Sequence, residues 1–248
     1  MVTSASWPAP PAKLDLGDSE VHVWRASLDA SPDAQQQLEQ LLSAEERARA
    51  VRFHFQKDRS HYMAGRGLLR RILARYLQTG PAELRFTLNA FGRPELSAPP
   101  GPPSLRFNLS HSRGLALFAV TRHRQIGIDL EFIRPDFATE DVAGRFFSPR
   151  EVAALRELPV EARTEAFFNC WTRKEAFIKA RGEGLSIPLD SFDVTLAPGD
   201  APALLRSQHD PQAASRWSIW ALHPGPGYAA ALAVEGKRWE LKCWACAP

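Results

Sequence analysis

The stretch of sequence best suited to chemistry is Glu165–Lys179, which reads EAFFNCWTRKEAFIK. Placed on a helix at about 100° per residue, its apolar side chains share one face, with Lys174, Glu175 and Lys179 on or beside it. Such a face is expected to be buried, so charges beside it must be paired, shifted in pKa or directed at a charged ligand. The lysines suit phosphate charge, and Glu175 suits a metal ion or a proton. The alternative is an ordinary amphipathic helix with a snorkelling Lys174 and a Glu175–Lys179 pair.

A second candidate is Gly127–Glu131, which reads GIDLE. On a strand, Asp129 and Glu131 point to the same face, so that one cation can reach both carboxylates. Mg²⁺ prefers such a site, because it binds one or two carboxylates together with water and the phosphates of a substrate. Carboxylate pairs are common on solvated strands. The apolar flanks and a third carboxylate, Glu175, favour metal binding here.

The third candidate is Phe107–Ser112, which reads FNLSHS and forms a small polar turn after an apolar strand. The hydroxyl of Ser110 and the imidazole of His111 suit phosphate oxygens. This signal is weaker than a glycine-rich phosphate loop, and a structurally satisfied turn histidine is the alternative. Together the three stretches describe a Mg²⁺-assisted displacement at a phosphate diester or anhydride, but they do not identify the substrate.

The elements that must position these residues occur in the same order twice. Three pairs of segments correspond at offsets of about 105 to 114 residues: Ser43–Glu46 with Ser148–Glu151, Phe86–Leu88 with Val194–Leu196, and Ala116–Val120 with Ala230–Val234. The first pair are capping boxes, which predict helix starts. We therefore predict an α+β fold of two similar lobes with a ligand in the cleft between them. A loose leader is expected over 1–19, an N-terminal lobe over 20–125 and a C-terminal lobe over 126–248.

Composition indicates a globular protein of the reducing cytoplasm. The 248 residues are 44% hydrophobic, enough for a full core, and no apolar run approaches the roughly 18 residues of a membrane span. The start of the chain has neither a charged leader nor an apolar signal segment. Three cysteines do not form a disulfide framework. Cys243 and Cys246 have the spacing of half a zinc site, but without a matching second pair we interpret them as tail thiols.

Basic residues are concentrated between Ser43 and Tyr76, where nine arginines and lysines face three acidic residues, although the whole chain has a net charge of only +3. No helix-turn-helix, zinc-finger or RNA-binding signature accompanies them, so nucleic acid is not the expected partner. A phosphorylated small molecule or an acidic protein suits this patch better. A solvated arginine-rich helix face remains the alternative for any single residue.

The three motifs resemble those of the Sfp-type 4′-phosphopantetheinyl transferases. The matching segments are NLSHS at Asn108–Ser112, GIDLE at Gly127–Glu131 and WTRKEAFIK at Trp171–Lys179, in family order within a similarity from about Leu42 to Val234. The resemblance implies transfer of the phosphopantetheine arm of coenzyme A to a serine of an apo acyl or peptidyl carrier protein, releasing adenosine 3′,5′-bisphosphate. It also implies a pseudodimer of two lobes, each a small antiparallel sheet with packed helices. Two complete lobes predict a monomer.

The resemblance also implies roles for the charged residues. Asp129, Glu131 and Glu175 correspond to metal-binding carboxylates, with Asp129 counted among the catalytic residues. Glu175 is in addition the candidate base for the serine hydroxyl, directly or through water. Lys179 corresponds to an acid or charge partner for the leaving phosphate, and Lys174 to a pyrophosphate contact.

The remaining implied contacts concern the phosphates and the adenosine. Ser110 and His111 correspond to phosphate contacts. Gly92, Arg93 and Pro94 resemble the family's G-K-P segment near the adenosine, with arginine where many members have lysine. Where some relatives carry a cation for the 3′-phosphate, this chain has a glutamate, so basic residues nearby are the expected substitutes: Arg47, Arg49 and Arg66.

Two other functions remain open from the sequence. One is a Mg²⁺-dependent hydrolase of coenzyme A or a related nucleotide, and the other is a non-catalytic module that binds coenzyme A or a carrier. If the protein is a transferase, we expect its choice of carrier to depend on exposed residues between the lobes, including Ala138–Arg156 and the basic patch. An acidic carrier helix would be steered to them electrostatically.

Overall fold

The structure is a computed structural model that describes residues 7–97 and 105–248, except for the side chain at position 185. The α-helices of these residues are α1 Pro32–Gln40, α2 Ala44–Ala50, α3 Gln56–Leu77, α4 Glu140–Phe146, α5 Pro149–Glu157, α6 Val160–Arg181 and α7 Ala213–Arg216. The strands are β1 Glu20–Ser27, β2 Phe86–Leu88, β3 Pro94–Leu96, β4 Leu105–Ser112, β5 Leu115–Arg122, β6 Ile126–Phe132, β7 Phe192–Val194, β8 Leu204–Ser207, β9 Trp217–Leu222, β10 Tyr228–Glu235 and β11 Glu240–Cys246. The predicted α+β class is confirmed.

Two main sheets form the framework. One has the strand order β11-β1-β5-β4 and the other the order β6-β10-β9, and short two-stranded ribbons β2–β3 and β7–β8 complete the strands described. Within the main sheets all neighbouring strands are antiparallel except β1 and β11. A helix of 22 residues belongs to each half of the chain, α3 to the first and α6 to the second. Both predicted capping boxes are present, at α2 and α5.

Three large apolar clusters hold these elements together. The first packs α3 on one face of the four-stranded sheet, with Trp24, Leu69 and Phe118 fully buried. The second packs α6 on the three-stranded sheet and contains Phe167 and Phe177. The third lies between the two sheets and is formed by side chains from β1, β5, β6, β9 and β10. The two halves therefore share a core, in addition to the one that each builds around its long helix.

Polar side chains of β4 join the two sheets directly. In the segment NLSHS, alternate side-chain oxygens accept hydrogen bonds from the backbone amides of β6: Asn108 Oδ1 from Ile128 at 2.9 Å, Ser110 Oγ from Leu130 at 3.3 Å and Ser112 Oγ from Phe132 at 3.1 Å. These bonds satisfy amides that would otherwise be unpaired along the edge of β6. The alternation of the motif thus fixes β6 beside β4 in register.

The last strand corrects the predicted extent of the C-terminal lobe. Residues 126–248 were expected to form that lobe, but β11 pairs in parallel with β1 in the sheet of the N-terminal half. Leu241 and Cys243 pack towards the core between the sheets, whereas Trp244 and Cys246 pack towards the core under α3. A strand with apolar side chains on both faces needs a sheet that is covered on both sides, and β11 meets this condition beside β1, between the core under α3 and the core between the sheets.

The described part of the predicted leader also contacts the rest of the protein. Residues 1–6 lie outside the described residues. Leu16 is 3% exposed and belongs to the core under α3, and the indole Nε1 of Trp7 donates to the carbonyl of His223 at 2.9 Å. Residues 7–19 therefore differ from the loose segment expected from their Pro, Ala and Ser content. None of the helices described is long and apolar enough to cross a membrane.

Candidate active site

The site begins where β6 approaches α6 most closely. Gly127 faces α6, and a Cβ at this position would overlap the carbonyl oxygen of Ala176 and the amide nitrogen of Ala180. Only glycine permits this backbone contact. Because strand side chains alternate, Asp129 and Glu131 lie on the same side of β6 as the contact. They therefore face the C-terminal turns of α6, which carry Glu175 and Lys179.

Asp129, which is buried, and Lys179, which is partly exposed, form an ion pair at the centre of the site. Asp129 is 2% exposed, and its Oδ1 accepts from Lys179 Nζ at 2.5 Å and from Ser110 Oγ at 3.0 Å. Its Oδ2 is also buried and has no hydrogen-bond partner among the described residues. A buried carboxylate oxygen without a partner is destabilising unless a ligand satisfies it. The geometry thus leaves one oxygen of Asp129 available to a donor or a cation.

Burial and the negative charge of Asp129 raise the pKa of two nearby carboxyl groups, Glu131 and Glu175. Burial raises the pKa of Glu131, and the nearby Asp129 raises it further, while Ser112 Oγ donates to Glu131 Oε2 at 3.1 Å. Burial likewise raises the pKa of Glu175 to about 7, with Asp129 and Glu131 adding to this effect and Lys179 opposing it. The three predicted metal ligands therefore share one electrostatic environment, in which a cation would be favourable.

The carboxylates of this cluster are the donor type that Mg²⁺ prefers, but their side chains do not converge on one point. Among residues 7–97 and 105–248, no group of three His, Cys, Asp or Glu side chains converges to hold a metal ion. The ammonium of Lys179 instead lies against Asp129 Oδ1. The donor set still consists of hard carboxylate oxygens, one of them buried without a partner, and their mutual repulsion is the feature that a divalent cation relieves. The residues present therefore fit Mg²⁺.

Lys174 does not contribute to the site, which corrects the predicted pyrophosphate contact. Its side chain is fully buried, and Nζ donates to Glu151 Oε2 at 2.7 Å, to the carbonyl of Leu189 at 2.7 Å and to that of Phe192 at 2.6 Å. An ammonium has three protons, and here each has a protein acceptor. Lys174 is thus a structural cation that ties α6 to α5 and to the start of β7.

Arg70 performs the same task in the first half of the chain. It donates from Nε to Glu46 Oε2 at 2.7 Å and from Nη1 to the carbonyls of Pro81 at 3.1 Å and Leu84 at 3.0 Å. In both halves, therefore, a capping-box glutamate binds a cation of the long helix, which in turn binds carbonyls of the following segment. The signal that could have identified Lys174 as structural was the repeat itself, because Glu46–Arg70 and Glu151–Lys174 have nearly the same spacing.

Ser110 and Arg93 also differ from their predicted roles. Ser110 is 7% exposed, and its hydroxyl is engaged by Asp129 and by the amide of Leu130, so it holds the cluster together and does not face a phosphate site. The guanidinium of Arg93 binds four backbone carbonyls, including that of Lys179. It therefore points away from the adenosine contact that was expected. Its neighbours Gly92 and Pro94 do line a cavity.

That cavity, of about 630 Å³, lies between α2, α3 and the β2–β3 ribbon. Its lining includes four arginines and two histidines: Arg49, Arg66, Arg70, Arg85, His61 and His111. Aromatic side chains, Tyr62 and Phe86 among them, form part of the wall. A cavity that combines arginines with aromatic rings suits a phosphorylated molecule that carries a planar base.

The predicted substitutes for a 3′-phosphate contact are not equivalent. Arg66 is paired with Glu46, whose Oε1 lies 2.5 Å from its Nη2, whereas Arg47 donates to the carbonyl of Leu42. The guanidinium of Arg49 lies over the ring of Tyr62 and, within the described part of the chain, has no ion pair or hydrogen bond. Arg49 is therefore the most available cation of the three.

Sequence reasoning missed His61 and Arg85, which no motif marks. His61 belongs to α3, and its Nε2 lies 2.8 Å from Oδ1 of Asp29, which follows β1 by two residues. Arg85 precedes β2 and donates from Nη1 to the carbonyl of Ala82 at 3.0 Å. Only the packing of α3 against the segment around β2 brings them to one cavity, and no local sequence signal records that packing.

Comparison with known proteins identifies relatives along most of the chain. Residues 125–233 match the family described as the 4′-phosphopantetheinyl transferase superfamily, and residues 25–123 match the one described as 4′-phosphopantetheinyl transferase, N-terminal. The chain is 44% identical over 239 residues to the 4′-phosphopantetheinyl transferase HetI of Nostoc sp., covering 96% of this chain and 98% of that protein. It is 33% identical over 192 residues to the 4′-phosphopantetheinyl transferase Sfp of Bacillus subtilis, covering 77% and 81%. Among solved structures, the holo-[acyl-carrier-protein] synthase of Thermotoga maritima matches 46% of this chain and 64% of that chain, with 25% identity and a TM-score of 0.37.

Proposed function

The chain belongs to the 4′-phosphopantetheinyl transferase family, and we propose how its residues carry out the transfer. It is a phosphopantetheinyl transferase. The donor we propose is coenzyme A, and the acceptor is a serine hydroxyl of an apo acyl or peptidyl carrier protein. The serine oxygen forms a bond to the phosphorus of the phosphopantetheine arm while the pyrophosphate bridge breaks. Adenosine 3′,5′-bisphosphate is then released.

The observation that carries this proposal is that the arginine-lined cavity and the carboxylate cluster both adjoin β4. His111 lines the cavity, and the preceding residue, Ser110, hydrogen-bonds Asp129. Surrounding protein and the nearby charge of Lys179 lower the pKa of His111, so the two side chains are electrostatic neighbours. A molecule that extends from the cavity to the carboxylate cluster and has phosphates at both ends would meet arginines at one end. At the other end it would meet Asp129, Glu175 and Lys179.

We assign the adenosine end of coenzyme A to the cavity. Arg49 is proposed for the 3′-phosphate because it is the available cation, with Arg66 supporting it from within its ion pair with Glu46. His111 is proposed as a contact to the phosphates at the exit of the cavity. Gly92 and Pro94 would form the wall beside the adenosine. The aromatic rings nearby offer stacking surfaces for a planar base.

We propose that Asp129, Glu131 and Glu175 hold Mg²⁺. When bound, the ion would neutralise charge on the pyrophosphate and on the departing phosphate. The unpartnered Oδ2 of Asp129 and the raised pKa values of Glu131 and Glu175 support this assignment. Lys179 would then turn from Asp129 towards the leaving phosphate, either as a charge partner or as the group that gives it a proton.

Glu175 is the proposed base for the serine hydroxyl, directly or through one water. Its raised pKa, about 7 in the metal-free protein, lies near neutral pH, which suits a group that accepts a proton in the transition state. In this scheme the proton moves from the serine to Glu175, and the electron pair of the broken bond moves to the leaving phosphate.

The first half of the chain supplies the arginine-lined cavity and the second half supplies the three carboxylates, so we propose that the monomer is the active form. Cys170, Cys243 and Cys246 are all unpaired. Free thiols are compatible with a reducing compartment, and we propose that the enzyme acts in the cytoplasm.

The test is intact-protein mass spectrometry of an apo acyl carrier and an apo peptidyl carrier, each incubated with the enzyme, coenzyme A and Mg²⁺. A gain equal to phosphopantetheine, abolished by chelation of Mg²⁺, is the expected result. Consumption of coenzyme A with both carriers unmodified would instead support a hydrolase. Saturable binding of coenzyme A without turnover would support a binding module.

A further inference from the structure

The β2–β3 ribbon is bound to the C-terminal end of α6 through Arg93 and Asn89, and we propose that this clasp positions Lys179 for the transfer reaction. The proposal rests on the role of Lys179 given above. It assigns Arg93 as a positioning residue, which acts through α6, in place of a direct contact with coenzyme A. We use "clasp" for the hydrogen bonds that Arg93 and Asn89 make outside their own ribbon.

The guanidinium of Arg93 has four carbonyl acceptors on three different elements. Nη1 donates to the carbonyls of two α6 residues, and Nη2 donates to one carbonyl on β4 and one on β6: Lys179 at 2.9 Å, Ala180 at 3.2 Å, Phe107 at 3.1 Å and Ile126 at 3.0 Å. Last-turn carbonyls of a helix lack intrahelical partners, and a cation is favourable there. Arg93 satisfies two of these carbonyls and links them to both strands.

Asn89 completes the clasp from the other end of the turn. Its Nδ2 donates to the carbonyl of Gly182 at 2.9 Å, and its Oδ1 accepts from the backbone amides of Phe91 and Arg93, both at 2.9 Å. Gly182 ends α6 in the left-handed conformation with φ of 72°. A Cβ there would lie 3.1 Å from Nη1 of Arg93, so the helix end and the turn fit closely. These hydrogen bonds stabilise the turn between β2 and β3 and attach it to the end of α6.

The same three elements hold the catalytic cluster. Lys179 lies on α6, its partner Asp129 on β6 and the bridging Ser110 on β4. Arg93 binds the backbone of Lys179 itself and, through Phe107 and Ile126, the strands on which Ser110 and Asp129 lie. A shift of the last turn of α6 relative to these strands would move Nζ of Lys179 away from the reacting phosphate. Misplacement by about 1 Å is sufficient to slow a reaction roughly 100-fold.

The clasp also explains why arginine is suitable at position 93. A planar guanidinium presents five donors in a fixed fork and can serve carbonyls on two sides at once, whereas an ammonium has three donors around one point. The flanking Gly92 and Pro94 line the arginine-rich cavity. Occupation of that cavity and the position of Lys179 are therefore connected through a single turn of five residues, Asn89–Arg93.

The experiment compares Arg93→Lys and Asn89→Ala with the unchanged enzyme, using one apo carrier. Arg106→Lys is the matched control, because Arg106 makes only a half-exposed ion pair with Glu95 at 3.3 Å. The Kd for coenzyme A is measured by calorimetry, kcat and KM are measured at 20 °C, and hydrogen exchange is followed by mass spectrometry for peptides covering residues 176–182. All variants are compared where circular dichroism shows them fully folded.

For Arg93→Lys we expect kcat to fall about 10- to 100-fold, while the Kd for coenzyme A stays within about 3-fold. Exchange in residues 176–182 should accelerate without a matching change in α3. Asn89→Ala should also lower kcat and accelerate exchange in residues 176–182, but to a smaller extent. If Arg93→Lys does not fold, Asn89→Ala alone tests the proposal. Arg106→Lys should change neither.

A Kd weakened more than 10-fold with kcat preserved would make Arg93 a ligand contact and overturn the proposal. Unchanged kcat and unchanged exchange in both variants would also overturn it. Absence of transfer by the unchanged enzyme would instead refute the proposed function. In that case the exchange measurement still decides whether Arg93 holds the end of α6.

Discussion

Removal of the charge at Lys174 should lower stability strongly and leave coenzyme A binding unchanged. In Lys174→Met, the carboxyl group of Glu151, 3% exposed, would lose its cationic partner, and the carbonyls of Leu189 and Phe192 would lose their donor. Breaking a buried ion pair by removing one partner typically costs about 3–5 kcal/mol. For a chain of this size, 1 kcal/mol corresponds to about 2–4 °C in Tm, so the expected decrease is about 6–20 °C.

The double variant Lys174→Met/Glu151→Gln separates the ion pair from simple loss of packing. It removes the uncompensated charge, so about 1–3 kcal/mol of the lost free energy of unfolding should return. Urea unfolding at 15 °C gives the free energies, and calorimetry on the folded proteins gives the Kd for coenzyme A, expected within 3-fold of the unchanged enzyme. A Kd weakened 10-fold or more, with Tm unchanged, would restore Lys174 as a phosphate contact and refute this reasoning.

Three further predictions concern the site and its surroundings. The pKa of Glu175 is raised in the folded state from 4.5 to about 7, so the metal-free protein should lose up to about 3 kcal/mol of stability as pH rises across this interval. Glu175→Gln should remove that dependence in urea unfolding, and an unchanged slope would contradict the assignment. Arg49→Ala should weaken coenzyme A at least about 10-fold and 3′-dephospho-coenzyme A less than 3-fold in calorimetry, whereas equal losses would exclude a 3′-phosphate contact. The KM for an acidic carrier should rise several-fold between about 0.05 and 0.5 M salt, and a flat response would argue against steering by the basic patch.

Local sequence signals predicted the helix starts and the side of β6 on which the carboxylates lie. Both capping boxes are present because their hydrogen bonds involve residues only three positions apart. Asp129 and Glu131 lie on one side of β6 because strand side chains alternate. Such features depend only on residues that are close together in the sequence, so they can be predicted from it directly.

The errors all concern contacts between distant parts of the chain. The motif predicts that Lys174 contacts the substrate. Its side chain is instead oriented by Glu151 and by a carbonyl of the segment before β7. Arg93 was assigned to the adenosine, but the carbonyls that it binds belong to α6, β4 and β6. The position of β11 in the sequence predicts that it belongs to the second lobe, because nothing local indicates its parallel pairing with β1.

The most direct test of the catalytic account is the single-turnover rate of Glu175→Gln at saturating coenzyme A and Mg²⁺, with an apo carrier of confirmed competence. The exposed Glu165→Gln on the same helix is the control. If Glu175 accepts the serine proton, the rate should fall by at least about 100-fold while coenzyme A remains bound, and Glu165→Gln should react normally. Transfer by Glu175→Gln at the rate of the unchanged enzyme would contradict the account.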